Sequence, residues 1–206
     1  MEMSEYNQQQ IEAFMMVRQY LQGLSRSRVG QTKRRIRNYL RFRADVAGFQ
    51  ALHFSEVCTH KCFTNQTSAC CGREGIATFF ADVVINVLLS SEGEIDAVLQ
   101  ALFTDRGGFK CVYLTEAGCV WRLKPIVCEM FLCRHAKETV LNANHVLRTR
   151  WENLRTRERR YTWPSRPVLF DELEELFIRL GYDSPLMYLH HSPGLLRVKE
   201  RYRKFP

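Results

Sequence analysis

Cysteine is missing from both ends of this chain: Met1–Val57 and Arg134–Pro206 contain none. A run of about 18 apolar residues, enough to span a bilayer, is also missing. The longest apolar stretch, around Ile76–Leu89, is interrupted by Thr78, Asp82 and Asn86. Met1–Val29 lacks the succession of basic, apolar and small residues that marks a secretory signal. With neither span nor signal, the expected location is the cytoplasm, where thiols stay reduced and clustered cysteines favour metal over disulfides. There is no glycine-rich loop for a nucleotide or methyl donor, and no recognisable nucleophile–base pair. Neither standard zinc-finger spacing nor a ferredoxin run occurs.

What is present is concentrated. All eight cysteines, Cys58, Cys62, Cys70, Cys71, Cys111, Cys119, Cys128 and Cys133, fall in one stretch. Burial alone gives no reason for such confinement, since a cysteine used as a small apolar residue can stand anywhere in a core. A chain of 206 residues with 46% hydrophobic content can bury a real core without cysteine staples. Reduced cysteines acting together point to metal. The candidate ligands are all eight.

Charge is unevenly placed. Met1–Val57 carries nine basic and five acidic residues, Cys58–Cys133 six and eight, and Arg134–Pro206 fifteen and nine. Arg18 through Arg43 holds nine basic residues and no acid. Basic flanks could neutralise a thiolate-rich centre, or meet nucleic acid or another acidic partner. Composition leaves the partner unknown.

Periodicity predicts a helix over Glu5–Leu24 and another over Gly30–Gln50, with Ile36, Tyr39, Leu40 and Phe42 on its apolar side. The first ligand region, His53 to Gly72, reads as Cys58-x3-Cys62-x7-Cys70-Cys71 with a loop at Asn65–Ser68. The three-residue spacing brings two sulfurs to one side of a turn; adjacent Cys70 and Cys71 usually point apart, so they could serve different metals, or one could stand behind the ligands without binding. Gly72 and Gly75 would permit turns beside sulfur. His53 and His60 read as polar loop residues. Gly75–Phe80 is β-like, and helices are predicted at Ala81–Ser90 and Glu92–Thr104, the latter ended by Arg106-Gly107-Gly108. Glu92, Glu94 and Asp96 read as helix-start charge.

In the second ligand region, a hairpin around Glu116-Ala117-Gly118 carries Cys111 and Cys119, and a turn after Lys124-Pro125 carries Cys128. Arg134–Arg160 is expected as one long helix and Phe170–Leu180 as a short one stopped by Gly181. His135, two residues after Cys133, is the histidine best placed to touch the site. His190-His191 would diverge on a helix, and the tail Arg197–Lys204 is basic with Tyr202 and Phe205 interleaved.

The ordered set of a Cys-Cys pair, Cys111-x-Tyr113-Leu114, Gly118-Cys119-x-Trp121, Lys124-Pro125-x-x-Cys128 and Cys133 resembles the YkgJ-type cysteine-cluster family. The resemblance covers Cys58–Cys133 and implies a zinc- or iron-chelating domain. Two features depart from the family pattern: the seven-residue gap before Cys70, and Lys124 where arginine is usual. Some longer relatives of that family are similar to flagellin lysine N-methylases.

The expected fold is mainly α with a small β-hairpin, a cysteine-rich metal-centred single domain with helical flanks. Its parts are a basic N-terminal segment 1–57, a cysteine-cluster domain 58–133 and a basic C-terminal segment 134–206. The expected function is metal binding by an iron–sulfur cluster or zinc. Four closed ligands suit zinc, and eight cysteines supply two such sites. The irregular long spacings favour an iron–sulfur cluster enclosed between two halves of the domain. Two alternatives stand beside it: an iron–sulfur-dependent protein-modifying enzyme resembling lysine N-methylases, and a nucleic-acid-binding module with structural zinc.

Overall fold

A nearly all-buried helix sits at the centre. The computed structural model describes residues 3–73, 76–105 and 107–204. In α4 (Phe80–Leu89) every residue from Phe80 through Leu88 is buried, polar Asp82 and Asn86 included. A helix apolar all round must be enclosed. It packs against α1 (Glu5–Gln22), which also contacts α5 (Glu92–Phe103), and against α9 (Leu169–Arg179).

Local chemistry explains the ends. Ser4 Oγ accepts from Asn7 N at 3.2 Å to start α1. Ser91 and Glu94 form a reciprocal capping box at α5. Glu92 and Asp96 are exposed and bind Arg18 of α1 at 2.8 Å each, consistent with a helix-start role.

The predicted helix Gly30–Gln50 is two helices, α2 (Arg26–Arg35) and α3 (Arg37–Phe54), divided at fully buried Ile36. No residue of α2 is buried, whereas α3 turns Tyr39, Phe42, Val46 and Phe49 into the core. Nothing in the helix propensity of this run marks the break; anchoring of Ile36 makes it. The predicted helix Arg134–Arg160 is likewise divided. Short α7 (Arg134–Ala136) and a π-helical turn, Lys137–Leu141, end before α8 (His145–Thr162). There Asn144 leaves the helical region, and its Oδ1 accepts from Val146 N and Leu147 N at 3.0 and 3.2 Å. The side chain caps a new helix instead of continuing the old one.

The β-like expectation for Gly75–Phe80 gives extended chain at 76–79 running into α4, with no strand. The small antiparallel sheet is the hairpin β1 (Leu114–Thr115) and β2 (Gly118–Cys119), with Leu114 opposite Cys119. Gly118 has φ of +107°, which the turn requires and a side chain would resist. The chain closes with α10 (Tyr188–His191) and α11 (Pro193–Lys204). Gly75, Arg106, Phe205 and the His191 side chain, each given a role above, lie outside the described residues. Among the described residues no helix is long and apolar enough to cross a membrane.

Candidate metal centre

Cys58 and Cys62 lie on a nine-residue π-helical segment, Ser55–Phe63, that continues α3. The i→i+5 bonding of a π turn is rare in runs of this length and concentrates at functional sites. The first ligand region is therefore mostly helical, and His53 stands in the last turn of α3, not in a loop. Its ring meets Phe49 edge-on at 4.8 Å, and its buried Nε2 has no hydrogen-bond partner among the described residues. His60 and His135 are exposed.

After the π segment, Gln66 and Ser68 adopt positive φ of 56° and 39°. Such backbone is costly for residues with side chains, and it is held here by neighbours. Lys110 Nζ donates to the carbonyls of Thr67 and Ser68, and Thr67 N donates to Cys62 O at 2.9 Å. Gly72 and Lys110 then form an antiparallel bridge, with Cys111 N donating to Cys71 O at 2.9 Å and Arg73 N to Phe109 O at 2.9 Å. This short ladder joins the two ligand regions.

The second region is clamped from two helices. Asp82 Oδ1 accepts from Ile126 N at 3.1 Å, and Asn86 Oδ1 accepts from Leu123 N at 3.0 Å. From α3, Arg43 Nη2 donates to Lys124 O at 2.7 Å and Gln50 donates to Glu129 O. Backbone from Leu123 to Glu129, which carries Cys128 on the single helical turn α6 (Ile126–Glu129), is thereby fixed to the core. Burial pushes Asp82 up to about 7, against the two N–H donors and Arg43 that oppose the rise.

All eight cysteines are free thiols; Cys70 and Cys128 are exposed and the rest half-buried. Their electrostatic neighbourhoods divide them into two sets. Cys58 feels Cys70, Cys133 and Cys62. Cys71 feels Cys111, Cys119 and Cys128, and Cys128 in turn feels Cys111 and Cys119. Cys70 bridges the two groups: it raises Cys58, and its own thiol donates to Cys71, which lowers Cys71 and raises Cys70. Burial pushes Cys58, Cys111 and Cys119 up, and Cys128 up to about 12. Lys124 opposes the rise at Cys58, Cys70 and Cys119, so one ammonium serves both sets.

Backbone N–H groups point at the sulfurs. Ala69 N reaches Cys62 Sγ at 3.4 Å and Ala136 N reaches Cys133 Sγ at 3.4 Å, where Cys133 caps α7. Tyr113 and Leu114 donate to Cys111, Trp121 to Cys119 and Ala77 to Cys128. Such donors favour thiolate over thiol. Eight thiols, several of them with N–H support, fit a soft metal or an iron–sulfur cluster chemically. Among the described residues, no three His, Cys, Asp or Glu side chains converge closely enough to enclose an ion.

Two groups beside the sulfurs were not legible in the sequence. Tyr6 of α1 approaches Tyr113 hydroxyl to hydroxyl at 3.5 Å, and Tyr113 donates to Gln10 at 3.3 Å. Both tyrosines are pushed up, chiefly by burial and further by cysteines of the second set. The N-terminal helix thus walls the site. The other group is Lys124, whose service to both sets has no spacing signal. No family model, curated protein or solved structure matches this chain, so the resemblance to the cysteine-cluster family rests on the order and spacing of its cysteines.

Proposed function

We propose that this protein is a metal-binding protein that uses its eight cysteines as two four-sulfur sets. Cys58, Cys62, Cys70 and Cys133 form one set, and Cys71, Cys111, Cys119 and Cys128 the other. The supporting observation is the grouping of cysteines that raise one another, with N–H donors aimed at Cys62 and Cys133 in the first set. Four thiolates satisfy either a closed zinc site or an iron–sulfur cluster. Iron–sulfur is our first assignment, because each set draws its ligands across long and irregular spacings that suit a cluster held between separate segments of the chain. Binding draws the sulfurs inward and releases thiol protons. A reducing compartment such as the cytoplasm is the setting this reading requires.

Anaerobic purification followed by metal and acid-labile sulfide analysis and a visible spectrum tests it. Iron with sulfide and a broad charge-transfer absorption supports the cluster, and a colourless protein with two zinc ions supports paired structural sites. Metal-free protein with its cysteines joined as disulfides would overturn the reading.

A further inference from the structure

The basic run left over by the metal reading lies on a second, separate feature. Helices α3 and α8 run antiparallel side by side, fixed by Arg157 to Asp45 at 2.6 Å and Tyr161 OH to Asn38 O at 3.2 Å. Between them runs a furrow of about 560 Å³, with Ala44, Gly48 and Leu52 on one wall and Arg150, Asn153 and Arg157 on the other. Its α3 wall is cut low, since a Cβ added at Gly48 would meet nothing within 4 Å.

Helical periodicity extends both walls with cations. Arg41 and Arg37 lie one and two turns before Asp45 on the same face of α3, and Arg160 lies one turn after Arg157 on α8. Because the helices are antiparallel, these extensions meet at the same end of the furrow. Arg37, Arg41 and Arg160 are exposed, and none has an ion-pair partner among the described residues. The wall arginines lie over rings, Arg157 over Phe42 at 5.4 Å and Arg150 over Phe49 at 5.6 Å. Trp163 caps α8 at that same end, 41% exposed, with Arg159 over its ring at 4.9 Å. Asp45, already occupied by Arg157, is the acidic residue in the lining.

The furrow's α3 wall with its basic extension, from Arg37 to Leu52, spans about 20 Å at the helical rise. Regularly placed guanidiniums on two rims match a chain of phosphates, which arginine can bind through two N–H groups at once. An exposed indole beside them offers a stacking face for a base. A lipid surface would instead need an apolar helix face outward, and α2, the helix that continues the basic run, has almost no apolar residues. We infer that the α3–α8 furrow binds single-stranded nucleic acid, with phosphates along Arg37, Arg41 and Arg160 and a base stacked on Trp163. This inference is independent of what the cysteines hold.

The test is fluorescence anisotropy of a short labelled oligothymidylate with the full chain as purified, across a salt series. Binding at low salt with a steep salt dependence is expected. R41Q/R160Q should weaken binding by about tenfold or more and make the salt slope shallower by about 1 per arginine removed. G48L, which fills the furrow without a charge change, should weaken binding at unchanged slope. R122Q, on the distant α5 side, should bind as the parent does. The unaltered protein supplies an internal reporter: Trp121 and Trp151 are each 3% exposed, so quenching of tryptophan fluorescence by the oligonucleotide reads out Trp163. No binding at low salt overturns the inference. So does equal loss in R122Q and R41Q/R160Q, absence of quenching, or equally tight capture of polyglutamate or of phosphatidylserine vesicles.

Discussion

Cys70 gives its thiol hydrogen bond to Cys71, its neighbour in the chain, and the two adjacent sulfurs end with opposite acidities. Cys71 is lowered first by that bond, against burial and three nearby cysteines; Cys70 is raised first by the same bond. In metal-stripped, reduced protein near neutral pH, Cys71 should therefore react first with iodoacetamide, followed by mass spectrometry. C70A removes the donor and should slow Cys71 alkylation several-fold. Equal rates at both positions would contradict this account.

Asp82 connects the core helix to the loop that carries Cys128. D82A leaves the N–H groups of Phe79 and Ile126 without their acceptor and should cost about 2–4 kcal/mol in urea unfolding. Amide exchange should rise locally over Ile126–Met130, ahead of α1. A uniform increase would show a general loss of packing instead.

The first ligand region shows why sequence reading stopped where it did. Apolar spacing placed α1, α4, α5 and α9 within a few residues, because each buries one continuous face. The hairpin was legible from Glu116-Ala117-Gly118, although Cys111 precedes its first strand. The π segment was not, since it is an extra residue accommodated within a helix and leaves composition unchanged. Nor was the Tyr6–Tyr113 contact, made between residues 107 apart. The break at Ile36 was equally hidden, because tertiary anchoring decided it.

Alkaline pH should weaken the fold through Glu174. This fully buried carboxyl is pushed up to about 9, first by burial and then by Asp171, while Lys199 opposes the rise. The folded chain holds a proton that the unfolded chain releases near 4.5, so the stabilisation is complete below that pH and is lost as pH rises towards 9. Asp82 acts in the same direction up to about 7. His190 and Cys71, both lowered, work the other way below their ordinary values, so the Glu174 contribution is read as the difference between the parent and E174Q across pH 7 to 9. Urea midpoints should fall across that window, by up to about 1.4 kcal/mol per pH unit for one group. E174Q should flatten the fall.

Lys199 is buried, and its ammonium donates to Asp171 and, at 2.6 Å, to Leu189 O. It is a polar anchor of α11 against α9 and α10. K199A strands a buried Asp171 and should cost about 3–5 kcal/mol. Limited proteolysis should then cut within Pro193–Lys204 before it cuts elsewhere. Unchanged cleavage would mean that other contacts seat the helix.

The π segment Ser55–Phe63 makes the spacing of the first two cysteines unusually intolerant of length change. A π turn carries one residue more than an α turn, so losing a single residue between Cys58 and Cys62 would let this stretch relax into ordinary α-helix. Each residue of α-helix advances about 100° around the axis, so the deletion would swing one sulfur to a different side of the helix while preserving helicity. A circular dichroism spectrum would hardly register the loss. In this region the chain counts residues more strictly than it chooses them: Thr59, His60 and Lys61 are exposed and replaceable, but their number is not.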